Sequence, residues 1–327
     1  MSTVLTAIEV NHPIMLVGSP GTGKTSIIEQ ACTKAGVKLL VSHPVVSEPT
    51  DYKGLPFPSK DGTEAHFLPY GDLLQLINAE EKLVFLLDDL GQAPSSVQAA
   101  CMQMILARTI DGKKISDHVV FMACTNSRED KAGVSMILEP VKSRFVSIIK
   151  IEISTDDWVS WALHNDIPAE LIGFIRFRPN LLEKFEPTRD MTNSPCPRTV
   201  ENVAKIQNSG YDPVTWRELF SGAAGEGFAN EYMAFLELFN DLQTIEEILK
   251  NPTNAIVPTQ SNRLWAICGG LAANVNISNI AKILIYINRI PKAFQVMVLK
   301  DCLQKEPNII NESKVMDWVE ENQSHIL

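Results

Sequence analysis

Short apolar runs alternate with amphipathic segments through the first half of the chain. The runs with strand character cover residues 14–17, 37–41, 83–87 and 119–124. Apolar residues recur at helical spacing over residues 3–9, 26–35 and 93–107. Uniformly apolar runs without alternation are typical of parallel strands that are covered on both faces. This order of elements therefore predicts an α/β domain built on a parallel sheet.

The pattern changes after residue 153, where strand-like runs give way to helical spacing. A polar connection that contains prolines covers residues 180–197. Beyond it, a helix is predicted over residues 199–207 and the spacing is helical again over 213–248. Further predicted helices cover residues 264–273, 280–290, 293–302 and 315–321. We therefore predict three parts: an α/β core over residues 1–153, a helical lid over 154–210, and an all-α region over 211–327. The residues of the last region indicate no chemistry.

A segment rich in proline, glycine and charge, residues 47–70, interrupts the core and shows little periodicity. Connections of this length inside a compact domain are usually functional or disordered. Within it, residues 51–56 predict a turn that exposes the aromatic ring of Tyr52. Two interpretations stay open. The segment is either a surface loop with a half-buried tyrosine, or it presents a loop here or near Gly62 to a central channel or a partner.

Composition and charge narrow the class of protein. The 327 residues are 45% hydrophobic and 21% charged, which is typical of a globular domain. The net charge of −10 disfavours nucleic-acid binding through a general basic face. Six scattered cysteines without a C-x-x-C pair predict buried free thiols in a reducing compartment. With no apolar run near ~18 residues and no leader-like N-terminus, we expect a cytoplasmic protein with no membrane partner.

The sequence GSPGTGKT at residues 18–25 carries the clearest chemical signal. Its glycines let the backbone turn with the N–H groups inward, which forms a nest for phosphate, and a helix that begins near Gly23 adds its positive end. Lys24 can reach the outer phosphates, and the Thr25 hydroxyl can bind Mg²⁺. The predicted nucleotide-binding residues are Ser19, Pro20, Gly21, Thr22, Gly23, Lys24, Thr25 and Ser26.

Three further polar residues stand at the carboxyl ends of predicted strands, the edge at which open α/β sheets bind ligands. Asp88 and Asp89 follow the run at 83–87, and Asn126 follows the run at 119–124. Asp88 can hold Mg²⁺ beside the phosphate loop, and Asp89 can orient or deprotonate an attacking water. The alternative is that both acids cap the next helix. Asn126 can reach the γ-phosphate or its water, or it can satisfy the backbone of a turn.

Taken together, these segments resemble an AAA+ ATPase. After GSPGTGKT come FLLDDLGQAP, SSVQAACMQMILART, VVFMACTN, LEPVKSRF and PRTVENVA, in the order of that family. The segments DYKGLP and FLPYGDL make its MoxR branch the most similar, and the resemblance covers roughly residues 4–207. It implies a P-loop AAA+ three-layer domain with a parallel sheet, followed by an α-helical lid and a C-terminal helical region. It also implies that the protein binds ATP and Mg²⁺.

Two arginines acquire catalytic roles through this resemblance. Arg144, in the SRF-type segment, would project into the site of the neighbouring subunit as an arginine finger. Arg198, in the PRT-type segment, would contact the nucleotide from the lid as a second sensor, and Arg108 would approach the subunit boundary. From the residues alone, Arg144 could instead form a surface ion pair, and Arg198 could cover apolar surface at a helix start.

The resemblance implies an ATP hydrolase that forms a homo-oligomeric ring, with a hexamer expected. It would remodel or chaperone a protein, in some cases with a partner that carries a von Willebrand A-type domain. One alternative is a nucleic-acid motor or loader of replication or mobile elements, which the acidic charge disfavours.

A second alternative is an ATP-binding assembly scaffold with little hydrolysis, because the family usually has Glu where this chain has Asp89. The shorter side chain would retreat by roughly 1.5 Å, and a misplacement of that order can cost ~100-fold in rate.

Overall fold

A computed structural model describes residues 1–127, 137–184, 190–240 and 242–322. The chain divides into two compact units, Met1–Glu152 and Ile153–Leu327. The predicted three-part organisation stays a prediction, because this division draws no boundary near residue 210.

A parallel sheet forms the centre of the first unit, as the apolar runs predict. The described strands of this unit are β1 (Ile14–Gly18), β2 (Lys38–Ser42), β3 (Leu55–Pro58), β4 (Ala65–Leu68), β5 (Leu83–Leu87), β6 (Thr109–Ile110), β7 (Lys113–Lys114), β8 (Val119–Asn126) and β9 (Ser147–Lys150). Five of them pair in parallel in the order β2-β5-β8-β1-β9. The other four form two antiparallel hairpins, β3 with β4 and β6 with β7.

Helices cover both faces of this sheet. The described helices of the first unit are α1 (Ser2–Glu9), α2 (Lys24–Ala35), α3 (Thr50–Lys53), α4 (Asp72–Ile77), α5 (Ser95–Ala107) and α6 (Glu139–Lys142). Successive residues of a strand point to opposite faces. Leu86 of β5 accordingly packs in the cluster that contains Ile28 of α2, whereas its neighbour Phe85 packs in the cluster that contains Val97 of α5. The result is a three-layer α/β arrangement, as expected for the first part of the chain.

The segment from residue 47 to residue 70 differs from its prediction. It contains the short helix α3 and the hairpin β3–β4, where the sequence predicts little regular structure. The ring of Tyr52 is only 2% exposed, so the expectation of an exposed aromatic at this position is wrong. A helix of four residues and two strands of four residues are too short to produce a clear hydrophobic periodicity in the sequence. The exposed aromatic rings of this segment are instead those of Phe57 (54%) and Phe67 (40%), both in the hairpin.

The described part of the second unit is helical. Its helices are α7 (Thr155–Ala162), α8 (Ala169–Phe177), α9 (Pro197–Asn208), α10 (Trp216–Ala224), α11 (Glu226–Asn240), α12 (Ile245–Lys250), α13 (Ser261–Ala273), α14 (Ile280–Ile287), α15 (Lys292–Lys305) and α16 (Ser313–Glu321). Helices α8 and α13 pack almost backbone to backbone. A Cβ added to Gly269 would lie 2.9 Å from the Gly173 nitrogen. Only small residues allow this approach.

A buried cation links three helices of the second unit. The side chain of Arg176 on α8 is 8% exposed and pairs with Asp156 of α7 and with Asp301 of α15, the latter at 2.5 Å. Lys300 binds the other carboxylate oxygen of Asp156 at 2.8 Å. Because both charges of the Arg176–Asp301 pair are withdrawn from water, removing Arg176 would leave the buried Asp301 carboxylate without its cation.

All six cysteines are buried free thiols, as predicted, and the reducing compartment stays a prediction. Burial raises the pKa of the Cys101 and Cys124 thiols. Among the described residues, no helix combines the length and the apolar character needed to cross a bilayer.

Candidate active site

The loop between β1 and α2 adopts a conformation that its glycines make possible. Gly21 and Gly23 have φ values of 75° and 86°, in the left-handed region that side chains disfavour. Gly18 also leaves little room for a side chain, since a Cβ there would lie 3.1 Å from the Ile151 carbonyl oxygen. Helix α2 begins at Lys24, which confirms the helix start predicted near Gly23.

The side chain of Lys24 folds back over this loop. Its Nζ donates hydrogen bonds to the carbonyl oxygens of Gly18 and Ser19 and to Asn126 Oδ1, each at 2.9 Å. The residue is 7% exposed, so these acceptors compensate an ammonium group that has lost most of its water. Thr22 Oγ1 donates to the Ser19 carbonyl oxygen at 2.9 Å and tightens the same turn. The loop is thus closed around its lysine.

Side-chain alternation along the strands brings Asp88 and Asn126 to the same face as α2. Asp88 continues the alternation that places Leu86 on that face, and Asn126 continues the alternation of Cys124. The Thr25 hydroxyl donates to the two carboxylate oxygens of Asp88 at 3.1 and 3.0 Å. The strand register places Asn126 beside the phosphate loop, because Asn126 of β8 lies opposite Gly18 of β1. The structure therefore brings together the phosphate loop and the acidic strand, as expected from the sequence.

Asp89 directs its carboxylate toward Asn126. Its backbone lies in the left-handed region, with φ 55° and ψ 33°, which Asp and Asn tolerate better than most residues. Asn126 Nδ2 donates to Asp89 Oδ1 over a long 3.5 Å. The turn that follows packs tightly on β8, because a Cβ added to Gly91 would lie 2.2 Å from Thr125 Oγ1. Gly91 and Thr125 support this turn, and no sequence pattern singles them out.

The oxygens at this edge fit a magnesium ion. Mg²⁺ prefers oxygen ligands and is commonly bound by one or two protein groups together with substrate phosphates. The Thr25 hydroxyl and the Asp88 carboxylate provide such oxygens side by side. Over the described ranges, no group of three or more His, Cys, Asp or Glu residues is placed to hold a metal.

The three arginines named from the resemblance have different surroundings. Arg144 follows α6; its Nη1 donates to Ser143 Oγ at 3.2 Å, and its buried Nε has no hydrogen-bond partner among the described residues. Arg108 Nη2 instead donates to the carbonyl oxygens of Ser116 and Val119, at 2.8 and 2.9 Å. Burial lowers the pKa of Arg108. The approach of Arg108 to a subunit boundary stays a prediction.

Arg198 lies in the second unit, at the second position of α9, and its side chain is exposed. Pro197 occupies the first helical position, as its fixed φ favours. The role of Arg198 as a second sensor stays a prediction.

Residues 14–153 match the sequence model of the ATPase family associated with various cellular activities (AAA). This segment is an AAA ATPase domain. It contains the parallel sheet, the phosphate loop, Asp88, Asp89, Asn126 and Arg144. A search of curated proteins finds no match to the chain.

Solved structures align with the AAA domain and the rest of the chain at low identity. NtrX from Brucella abortus is 13% identical with a TM-score of 0.42, over 92% of this chain and 66% of that chain. RuvB of Thermotoga maritima, described as a Holliday junction branch migration motor, is 14% identical with a TM-score of 0.35, over 95% and 85% of the two chains. A point mutant of that RuvB is 14% identical with a TM-score of 0.37, over 98% of this chain and 85% of that chain.

Proposed function

We propose that this protein is a Mg²⁺-dependent ATPase that works as a homo-oligomeric ring and uses ATP to remodel a protein partner. The observation that carries the proposal is the convergence of Lys24, Thr25, Asp88, Asp89 and Asn126 at one edge of the AAA domain sheet. These side chains come from three separate segments of the chain. They carry the groups that phosphoryl transfer to water requires.

The phosphate loop and Lys24 would hold the triphosphate. The N-terminus of α2 adds partial positive charge to the inward N–H groups of the loop. Lys24 Nζ is bonded to carbonyl oxygens and to an amide oxygen. Charged phosphate oxygens are stronger acceptors than these. Lys24 would therefore exchange some of its contacts for the outer phosphates when ATP binds.

Thr25 and Asp88 would bind Mg²⁺, which when present neutralises charge on the phosphates. Their oxygens lie within 3.1 Å of each other. Little rearrangement of the chain is required for both to act as ligands.

Asp89 and Asn126 would act on the attacking water. The carboxylate of Asp89 would orient this water and accept its proton, while the new P–O bond forms and the bond to the β-phosphate oxygen of ADP breaks. The amide of Asn126 donates to Asp89 and accepts from Lys24. It would thereby hold the Asp89 carboxylate at a fixed position relative to Lys24.

Arg144 supports the proposal of a ring. Its side chain is half-buried, and its Nη1 donates to the neutral hydroxyl of the adjacent Ser143, an acceptor weaker than a charged phosphate oxygen. An arginine supplied by a neighbouring molecule is worth roughly 10³–10⁵ in rate where this has been tested. Head-to-tail contacts that place Arg144 in the next site generate a closed ring when the rotation permits. The resemblance to AAA+ proteins makes a hexamer the expected size.

Mixing two inactive variants tests the shared site. Lys24→Ala removes the phosphate ligand and Arg144→Ala removes the finger, so each variant alone should lose turnover. In a 1:1 mixture that assembles at random, about a quarter of the sites would combine an intact Lys24 with an intact Arg144 from the neighbour. Lys142→Ala, two residues away, is the matched control and should keep turnover, because Lys142 Nζ pairs with Glu139 of its own helix. Normal assembly with no recovery at any ratio would sink the shared-site proposal.

The exposed hairpin β3–β4 supports a protein partner. Leu55, Phe57, Phe67 and Leu68 are each at least 40% exposed, and such a concentration of apolar side chains on four-residue strands is typical of a contact surface. Its apolar character fits a polypeptide better than a phosphate backbone, which requires cations. We therefore propose a protein substrate, and the MoxR-like resemblance adds a von Willebrand A-type partner as a candidate.

Stimulation of ATP turnover discriminates between these classes of partner. Reduced, carboxymethylated α-lactalbumin provides an extended polypeptide, and an oligonucleotide provides single-stranded DNA. We expect the polypeptide to raise turnover and the double variant Phe57→Ser/Phe67→Ser to lose this response while it retains basal turnover. If DNA alone stimulates, and high salt abolishes the effect, the nucleic-acid motor is the better interpretation.

An ATP-binding scaffold with little hydrolysis is the second candidate. The observation that favours it is the short side chain of Asp89, whose Oδ1 lies 3.5 Å from Asn126 Nδ2. Saturable ATP binding and ring assembly with no turnover, with or without the polypeptide, would support this candidate over a motor.

A further inference from the structure

Tyr52 ties the helix before the hairpin to the core of the AAA domain. Its ring is 2% exposed and packs in the cluster between the sheet and α5, which includes Leu87 and Cys101. Its hydroxyl shares a hydrogen bond of 2.8 Å with Ser42 Oγ. Burial raises the pKa of Tyr52 to about 12, so the hydroxyl keeps its proton at neutral pH. The polar tip of this ring thus finds a hydrogen-bond partner on the sheet.

Ser42 connects this hydroxyl to the proposed metal ligand. It is the last residue of β2 and lies opposite Leu87 of β5. Its carbonyl oxygen accepts a hydrogen bond from the Asp88 nitrogen at 2.9 Å. The Asp88 carboxylate in turn accepts a hydrogen bond from the Thr25 hydroxyl. Two hydrogen bonds therefore join Tyr52 to the backbone that carries the Asp88 side chain.

The same helix is joined to both strands of the hairpin. Gly54 follows α3 directly with a φ of 95°, and a Cβ added there would lie 2.6 Å from the Leu68 carbonyl oxygen of β4. The Tyr70 hydroxyl, just beyond β4, donates to Asp51 of α3. The root of the hairpin is thereby attached to α3 on each side. These contacts connect the hairpin without a break to the helix that carries Tyr52.

We propose that Tyr52 is a positioning residue that holds Asp88 in place through Ser42 and links it mechanically to the exposed hairpin. This inference rests on the proposed ATPase function and deepens it, because it names how the hairpin would influence the nucleotide site. Contact between residues is not coupling, and a double-mutant cycle is the direct test.

The test compares Tyr52→Phe, Ser42→Ala and the double variant with wild type. Each single variant removes one hydroxyl and leaves the Ser42 carbonyl intact. We expect each to lower kcat by about fivefold, the worth of a typical hydrogen bond, with the KM for ATP unchanged. If the two hydroxyls act through each other, the double variant also loses about fivefold, whereas independent effects would multiply to about 25-fold. A direct readout is binding of a fluorescent ATP analogue during a Mg²⁺ titration, whose midpoint should rise in all three variants.

Tyr286→Phe is the matched control. The Tyr286 hydroxyl is hydrogen-bonded to the Ile256 carbonyl oxygen in the second unit, at 2.9 Å, and its ring is fully buried. Its removal costs a similar hydrogen bond and should leave kcat and the Mg²⁺ midpoint unchanged.

The outcomes separate this inference from the proposed function. Wild-type kcat and Mg²⁺ midpoint in a folded Tyr52→Phe variant would overturn the positioning role and leave the ATPase intact. Multiplicative losses would overturn the link through Ser42. If wild type shows no turnover that depends on Lys24, the proposed function fails, and the Mg²⁺ titration by itself decides the role of Tyr52.

Discussion

Lys24 Nζ donates a 2.9 Å hydrogen bond to Asn126 Oδ1 across a sequence separation of 102 residues. The contact arises because β1 and β8 are neighbours in the parallel sheet, with Gly18 opposite Asn126. The other end of the same amide donates to Asp89. One asparagine therefore joins Lys24 to the proposed base.

Lys24→Ala should weaken nucleotide binding and abolish turnover. The substitution removes the ammonium group that the loop carbonyls and Asn126 hold in place, and the loop amides alone carry no full positive charge. We expect ATP affinity to fall by at least about tenfold and turnover to become undetectable, since hydrogen bonds to charged groups contribute about 1.5–3 kcal/mol. Titration with a fluorescent ATP analogue measures the affinity.

Lys34→Ala is the control for this experiment, because Lys34 is an exposed lysine in the last turn of the same helix. It should bind ATP as wild type does. Equal affinity of the Lys24→Ala variant would remove the basis for the phosphate loop assignment.

Asp89→Asn should separate binding from catalysis. Asparagine is nearly isosteric and also tolerates the left-handed backbone at this position, so the turn should persist. The amide cannot accept a proton from water, and general base catalysis contributes roughly 10²–10⁴-fold. We expect ATP affinity within about twofold of wild type and kcat lower by about 100-fold. Unchanged turnover would show that Asp89 is not the base.

Acid should weaken the second unit through Asp156. Hydrogen bonds from Lys300 and Arg176 lower the pKa of its carboxyl from 3.8 to about 2. Because the folded value lies below the unfolded one, ionised Asp156 stabilises the fold above the unfolded pKa. That contribution is lost as pH falls from about 4 toward 2. The side chain is 48% exposed, so we expect less than about 1 kcal/mol.

Urea unfolding at pH 7 and pH 3 checks this prediction. Asp156→Asn should be less stable than wild type at pH 7 and should lose less stability on acidification. Asp157→Asn, the exposed neighbour, is the control and should follow the wild-type pH dependence. Burial raises the pKa of Asp301, so protonation of Asp301 affects the free energy of unfolding in the opposite sense to that of Asp156. Asp301 is present in all three proteins and therefore contributes to each of them. Identical pH dependence in wild type and Asp156→Asn would contradict the assignment.

Gly269→Ala should destabilise the second unit. The added methyl group would meet backbone atoms of Gly173 and Ala169 at 2.9 and 3.0 Å, and backbone cannot move aside as a side chain can. Overpacking of this kind costs about 1–3 kcal/mol. Gly222→Ala in α10 is the matched control, since no atom lies within 4 Å of its added Cβ. The control should gain up to about 1 kcal/mol from helix propensity. Equal unfolding midpoints for the two variants would refute the close approach of α8 and α13.

The sequence predicts the central strands well because each is a continuous apolar run with a polar end. It predicts the segment before α4 poorly. Tyr52 lies among prolines, glycines and charges, so local pattern marks it as exposed, yet α3 turns its ring into the core. The hairpin escapes detection because prolines at positions 56 and 58 interrupt the alternation that identifies strands.

By itself, the amino-acid sequence determined the phosphate loop, the acidic strand end and the parallel α/β class, because each depends on residues that are adjacent in the chain. Only the tertiary structure decided which distant groups meet. Strand order and side-chain alternation bring Asn126 to Lys24 and Asp88 to Thr25, and packing turns Tyr52 toward Ser42. These contacts depend on sheet register and on burial of whole faces, which no local pattern encodes.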